Sequence, residues 1–299
     1  MNAPKRLRHA AAALSRPLQR HVAKLLYPPG TQPEDFLQPA GEPALIAPDS
    51  LSWRVFANPL AMFVGGVTAV LLELAEPRVR TGVWEHTSFR EQPLLRLQRT
   101  GYAAMMTVFG ARSRTQAMIA RVNAGHARIV GRTPDGHAYA ASDAELLAWV
   151  QATAAFGFLQ AYTSCVRPVE AAARDQFYSE NQAAGRLYGV PAPPASEADL
   201  AALMQRMAPR LEPSPIVLEF LAIVHAIPLM PRPLRALQSL LIRIAVQNLP
   251  SDVRDRLGLS DDRWRVSAFG WRVARALGRA ADHLTLPNLP AMLAPQRLR

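Results

Sequence analysis

One histidine of the chain lies on an apolar stripe with helical spacing. In the segment RTQAMIARVNAGHARIVG, the stripe consists of Met118, Ile119, Val122, His126, Ile129 and Val130. A neutral imidazole that points inward from such a stripe is either a ligand to a metal or haem iron or a core histidine bonded to a carbonyl. Gly125 beside it has no side chain, so a flat macrocycle or another helix could approach the backbone there.

A row of polar residues lies one helix earlier. The row consists of Arg96, Thr100, Ala103 and Thr107, and it borders an apolar row of Leu95, Tyr102, Met106 and Phe109. Arg96 and Arg99 have forked donors that suit haem propionates or a substrate anion, and the Thr100 hydroxyl could hydrogen-bond a bound oxygen species. The same pattern is also typical of a solvated basic face that includes a threonine.

A third candidate surface lies on the helix predicted over Asp143–Cys165. Gln151, Ala155, Phe158 and Tyr162 share one side of it. If buried, Gln151 would need a hydrogen-bond partner, so it is either part of a polar network or a surface residue. Cys165 could serve as a thiolate ligand, although a buried free cysteine is far more often a small apolar residue.

The composition limits the class of protein. The chain has 299 residues, 49% of them apolar and 7% aromatic, which excludes wholesale disorder and favours an aliphatic helical core. All but two of the 34 basic residues are arginine, and the net charge is +11. Because few aromatics interleave with the arginines, nucleic-acid binding is the least favoured function. A single cysteine excludes an intramolecular disulfide framework.

Proline and glycine divide the chain into helical segments. The predicted helices are Ser52–Asn58, Pro59–Ala75, Ser88–Phe109, Arg114–Val130, Asp143–Cys165, Ala171–Tyr188, Glu197–Met207, Pro215–Ala226, Pro231–Gln247, Ser251–Leu257 and Asp262–Leu284. Only residues 136–140 look extended, as a short hairpin after a tight turn. We therefore expect an all-α fold, with one large multi-helix domain around a central cofactor or apolar pocket.

The first 49 residues differ from the rest of the chain. Residues 1–49 are predicted to form a basic N-terminal arm and a proline-rich connector, and residues 50–299 the helical domain. No apolar run is long enough to span a bilayer, and basic residues interrupt any signal-like stretch. The arm could lie on an anionic membrane as an amphipathic helix or remain a solvated segment. Cytoplasmic localisation, with peripheral contact to the inner membrane through this arm, is the expectation.

Common catalytic signatures are absent, but four segments carry a family resemblance. The segments are GVWEHTSFR at 82–90 with RLQRT at 96–100, residues 108–150, residues 158–191, and NLPSDVRDRLGLS at 248–260. In order and spacing they resemble the MpaB and latex-clearing-protein family of oxygenases, over about Leu51 to Arg299.

The resemblance implies an all-helical fold around haem b, with one helix histidine as the iron ligand and O₂ on the opposite side. His126 matches that ligand by position. Arg96, Arg99 and Thr100 match an R-x-x-[KR]-T arrangement on the O₂ side, where the rubber-cleaving members have lysine at the Arg99 position. Gln151 stands where the family commonly has a second histidine, which implies altered chemistry or a role in hydrogen bonding around the cofactor.

Two functions follow from these observations as expectations. The first is a haem-dependent oxygenase that acts with O₂ on an apolar, unsaturated small molecule, with Arg96, Arg99 and Thr100 as catalytic residues and His126, Arg96, Thr100 and Gln151 as cofactor-binding residues. The second is a non-catalytic helical protein that binds a lipid-like ligand or a membrane surface. A homodimer is also expected, because helical proteins with this little charge often cover an apolar face by pairing.

Overall fold

Helices form nearly all the regular structure in the computed structural model, which describes residues 24–230, 232–283 and 287–299. Within these ranges the α-helices are α1 (Leu51–Ala57), α2 (Pro59–Ala75), α3 (Pro77–His86), α4 (Pro93–Phe109), α5 (Arg112–His126), α6 (Ala144–Cys165), α7 (Ala171–Leu187), α8 (Glu197–Met207), α9 (Pro215–Ala226), α10 (Arg235–Gln247), α11 (Ser251–Arg256), α12 (Ala268–Ala281) and α13 (Pro290–Arg297). Short 3-10 helices lie at Pro33–Phe36, Ala208–Arg210, Arg232–Leu234 and Asp262–Trp264. The predicted all-α class is confirmed.

Side-chain caps explain where several helices begin. The Ser50 hydroxyl accepts a hydrogen bond from the Trp53 amide at 3.1 Å and starts α1. Asn58 ends α1 and starts α2, because its side-chain oxygen accepts from the first two free amides of α2. The Asp143 carboxylate does the same for α6. Each cap satisfies donors that have no partner inside the helix.

The centre of the fold is the close contact between α2 and α6. A Cβ added to Gly157 would lie 2.5 Å from the Gly65 carbonyl oxygen and 2.9 Å from the Ala69 amide nitrogen. The two backbones therefore touch where neither helix has a side chain. Trp149 is fully buried beside this contact and donates its indole N–H to the Leu72 carbonyl at 3.2 Å. Helices α2 and α6 thus form a rigid pair on which the other helices pack.

The connector and the last helix pack onto the same core. Phe36 and Ile46 are buried in the cluster that contains α2 and α6. The guanidinium of Arg297, only 2% exposed, donates 2.8 Å hydrogen bonds to the carbonyls of Glu42, Phe36 and Phe109. Residues 24–49 are therefore structurally tied to the helical domain. The basic part of the predicted arm, residues 1–23, lies outside the described residues.

The hairpin predicted at residues 136–140 is present. Strands β1 (Val130–Arg132) and β2 (Ala138–Ala140) pair antiparallel, with Gly131 opposite Tyr139. The turn between them needs Gly136, which has φ of +85°.

Several predicted helix boundaries are wrong. The helix predicted from Ser88 begins at Pro93, whose missing N–H suits a first helical position. The helix predicted through Val130 ends at His126, because Val130 leaves to pair with β2 and is 63% exposed. Ile129, next to Val130, is therefore also off the helical stripe.

Two further helices depart from the prediction. The segment predicted as one helix from Asp262 is split, since Ser267 starts α12 with a new cap. The helix predicted from Pro231 begins at Arg235. Pro231 and Leu284 lie outside the described residues. Helices α3 and α13 were not predicted.

No single helix in the described ranges is both long and apolar enough to cross a bilayer. Helices α1 and α2 reach that length and composition only when taken together, and a 95° bend separates them.

Candidate functional site

One face of α2 is less buried than the rest of this central helix. Its half-buried residues are Met62, Phe63, Gly66, Val70 and Glu73, which share one side at helical spacing, whereas the other faces are buried from Leu60 to Ala75. A Cβ on Gly66 would touch nothing nearer than a Phe158 ring carbon at 3.9 Å. This face of α2 is therefore less tightly covered by other helices than the rest of α2.

Glu73 is the one ionisable residue on that face of α2. Burial raises the pKa of its carboxyl to about 7, against a smaller downward pull from the Arg96 guanidinium. Among the described residues its carboxylate has no hydrogen bond or ion pair. An acid with this pKa exchanges its proton near neutral pH, which is the property of a general acid or base.

Arg96 lies within electrostatic range of both Glu73 and His126. Burial lowers the pKa of Arg96, the Glu73 carboxylate opposes that shift, and neighbouring Arg99 adds to it. The Arg96 guanidinium donates a hydrogen bond to the Thr100 hydroxyl. The fold thus brings Arg96 and Thr100 together on α4, as their spacing predicts, and places Arg96 next to the α2 face.

The remaining residues of the polar row have different surroundings. Arg99 and Thr100 are exposed, so the row runs from the solvent side at Thr100 inward. At its inner end Thr107 is buried, and its hydroxyl pairs with the Tyr188 hydroxyl at 3.0 Å. Burial raises the pKa of Tyr188, which keeps this phenol protonated. The alternative of a wholly solvated basic face is therefore wrong for Arg96 and Thr107.

His126 is the last residue of α5 and is half-buried. Its Nδ1 is enclosed by protein and has no hydrogen-bond partner among the described residues. Nε2 has no such partner there either. Burial lowers the pKa of the imidazole, and the positive charge of Arg96 lowers it further. The ring is therefore neutral at neutral pH, which is the form that binds a metal. The alternative of a core histidine bonded to a carbonyl is not observed.

The backbone on either side of this region is open. A Cβ on Gly125 or on Gly101 would meet no atom within 4 Å among the described residues. Asn123, one turn before His126, donates its side-chain amide to the Leu187 carbonyl at 2.8 Å and so ties α5 to the end of α7. The histidine is thus held on an anchored helix next to space that a side chain does not fill.

Gln151 lies in different surroundings. It borders a cavity of about 10 Å³, about the size of one water, with Tyr178, Asn181 and Pro193 of the α7 region. Its side chain makes no hydrogen bond within the part of the chain that the structure describes. Cys165 is fully buried, burial raises the pKa of its thiol, and its backbone carbonyl packs on Gly278.

A larger groove lies on another side of α4. It has a volume of about 870 Å³ and runs between the connector, the first turn of α4 and the end of α9, with Tyr27, Leu94 and Ile227 among its lining residues. Arg96 and His126 do not line it. The groove is thus separate from the Glu73, Arg96 and His126 group.

Glu73 is the site residue that the sequence analysis missed. It is a single acid inside the apolar run AVLLELA, and a charged residue in a buried helix was the available signal. The described residues hold no group of three or more histidine, cysteine, aspartate or glutamate side chains that could bind a metal ion.

Comparison with known proteins gives one match. The family model described as "ER-bound oxygenase mpaB/B'/Rubber oxygenase, catalytic domain" matches residues 53–281, a range that includes Glu73, Arg96, Thr100 and His126. No curated protein and no solved structure matches the chain significantly.

Proposed function

We propose that this chain, which belongs to the mpaB and rubber oxygenase family, is a haem b-dependent oxygenase that acts with O₂ on an apolar, unsaturated small molecule. The observation that carries the proposal is the state of His126: a neutral imidazole on an anchored helix, with Arg96 nearby and neither ring nitrogen hydrogen-bonded to any described residue.

The residues present fit a haem group. His126 would bind the iron through Nε2, since Nδ1 is the enclosed nitrogen. Gly125, next to His126, is exposed, so its bare backbone would let a flat ring approach from the solvent side. Arg96 and Arg99 would be the cations that pair with the carboxylate groups of the haem. When bound, haem supplies an iron centre that activates O₂, and the protein supplies position and electrostatics.

Side chains of the protein itself would transfer protons and provide polar contacts in the site. The Glu73 carboxyl, with a pKa of about 7, would accept or release a proton at the substrate, and the Arg96 guanidinium would hold it in place electrostatically. The Thr100 hydroxyl accepts a hydrogen bond from the Arg96 guanidinium and donates its own proton to the Arg96 carbonyl at 3.0 Å, so it would orient Arg96, whose remaining guanidinium donors could bind a polar oxygen atom.

The rest of the α2 face supports the proposed substrate class. Val70, one turn before Glu73, and Phe63, almost three turns before it, are apolar, half-buried side chains on the same face. A site with such walls binds its ligand by burial of apolar surface, with few polar contacts. This supports a hydrocarbon-like substrate rather than a charged one.

The first experiment asks whether the protein binds haem. The full-length protein is purified from haem-replete cells, and its absorption spectrum and iron content are measured. We expect a Soret band that His126→Ala abolishes. His137→Ala is the matched control, because His137 is exposed on the hairpin and should leave the band unchanged. A colourless, iron-free protein would contradict the proposal and favour the non-catalytic lipid-binding function.

The second experiment concerns Glu73. O₂ uptake with emulsified unsaturated hydrocarbons is measured for the wild type and for Glu73→Gln. We expect a loss of about 10²-fold in turnover with the Soret band retained, because glutamine fills the same volume but cannot transfer a proton. Equal turnover of the two proteins would remove Glu73 from the reaction.

A further inference from the structure

Helix α12 has a second apolar stripe on the side that faces solvent. Phe269 is 67% exposed, the most exposed large apolar residue in the described part of the chain. Val273, Ala276 and Ala280 follow it at i+4, i+7 and i+11, and Leu277 beside them is 37% exposed. Because residues at this spacing share one side of a helix, they form a continuous apolar strip.

The opposite side of α12 is fixed to the protein. Gly270, Ala274 and Gly278 are its buried residues. A Cβ on Gly278 would lie 2.2 Å from the Cys165 carbonyl oxygen, so the backbones of α12 and α6 are in contact there. The outer strip is thus held on a rigid support, and its exposure does not result from a loosely packed helix.

Arginines border the strip on one side. Arg272, Arg275 and Arg279 are all exposed. Arg275 and Arg279 donate to the carbonyls of Ser164 and Val166 at the end of α6, at 3.3 and 3.4 Å. Arg272 has no partner among the described residues. These hydrogen bonds thus hold Arg275 and Arg279 in place. None of the three arginines forms an ion pair with a described residue, so their positive charges are not neutralised there.

We propose that this face of α12 docks on an anionic lipid bilayer, with Phe269 and Leu277 inserted among the acyl chains and the arginines on lipid phosphates. An apolar strip beside basic residues on one helix is the arrangement that binds the membrane interface. A symmetric pair of copies is disfavoured, because pairing along this strip would bring the arginines of both copies together. The site differs from the basic N-terminal segment and is independent of the proposed oxygenase activity.

The test measures binding of the full-length protein to vesicles by flotation. The vesicles contain phosphatidylcholine alone or with a minority of phosphatidylglycerol. We expect binding to the anionic vesicles, weakened about tenfold by Phe269→Ala and about fivefold by Arg272→Gln. Leu218→Ala and Arg206→Gln are the matched controls, since both residues are exposed on other helices and should leave binding unchanged.

Circular dichroism confirms that each variant is folded, and light scattering measures its mass. Absence of vesicle binding overturns the proposal. Binding that neither α12 variant weakens also overturns it and assigns the membrane contact to another segment, such as the basic N-terminus. A dimer that Phe269→Ala dissociates, without any vesicle binding, would show that a second copy covers the strip.

Discussion

The contact between α2 and α6 leads to a sharp prediction about stability. Replacing Gly157 by alanine puts a methyl group 2.5 Å from the Gly65 carbonyl oxygen and 2.9 Å from the Ala69 amide nitrogen. Both obstacles are backbone atoms of α2, so no side chain can rotate away. The helices must move apart, which weakens the packing around the fully buried Trp149.

The size of the effect follows from two opposing terms. Overpacking of this kind costs up to about 3 kcal/mol. Alanine is a better helix former than glycine, which stabilises the folded state by about 1 kcal/mol. The net loss of about 2 kcal/mol corresponds to a fall in Tm of about 4 °C for a chain of this length.

Thermal unfolding followed by circular dichroism measures the change, with Gly101→Ala as the matched control. Gly101 is also inside a helix, but its added Cβ would meet nothing within 4 Å, so the same substitution should leave Tm equal or raise it slightly. Equal shifts in Tm for the two variants would show that the close contact of α2 and α6 does not stabilise the fold.

Three further predictions concern buried charges and a hydroxyl pair. The pKa of the Glu73 carboxyl is raised in the folded protein, so the folded state holds this proton more tightly than the unfolded chain does. The free energy of unfolding therefore falls as the pH rises between about 5 and 7. Thermal melts across that range should show the wild type losing stability relative to Glu73→Gln. Arg297→Leu leaves the buried carbonyls of Phe36 and Phe109 and the part-buried carbonyl of Glu42 without this donor, and it should cost about 3 kcal/mol or more in denaturant unfolding; Arg206→Leu at an exposed position should cost less than about 0.5 kcal/mol. Tyr188→Phe removes the bond to Thr107 and should cost about 1 kcal/mol in the same assay, and an unchanged midpoint would show that this bond contributes nothing.

Local patterns in the sequence were enough to predict most of the helices. The helices predicted from Asp143 and from Glu197 begin at Ala144 and Glu197, because the capping side chains of Asp143 and Ser196 act on amides only two or three residues away. The row of Arg96 and Thr100 was also predictable, since both lie on one helix. The end of α5 was not predictable in this way, because Val130 lies outside the helix and pairs with a strand further along the chain.

The residues of the candidate site divide in the same way, into those that local sequence patterns could predict and those that only tertiary packing brings together. His126 could be singled out from its apolar stripe and its match to a family motif, both of which are properties of the sequence. Glu73 could not be linked to it, because Glu73 is 53 positions away and only the packing of α2 against its neighbours brings its carboxyl near Arg96. Gln151 was assigned to the site by the family motif alone; the fold packs it against the α7 region, and its role at a cofactor stays a prediction.

The sequence by itself determined the helical class, most of the helix starts and the identity of the candidate iron ligand, because caps, periodicity and motif spacing act within a few turns of chain. Only the tertiary structure decided that Glu73 and Arg96 come into electrostatic range beside that histidine and that α12 has an apolar strip in solvent. Burial and electric field depend on which helices pack together, and that arrangement is set by contacts between residues far apart in the chain.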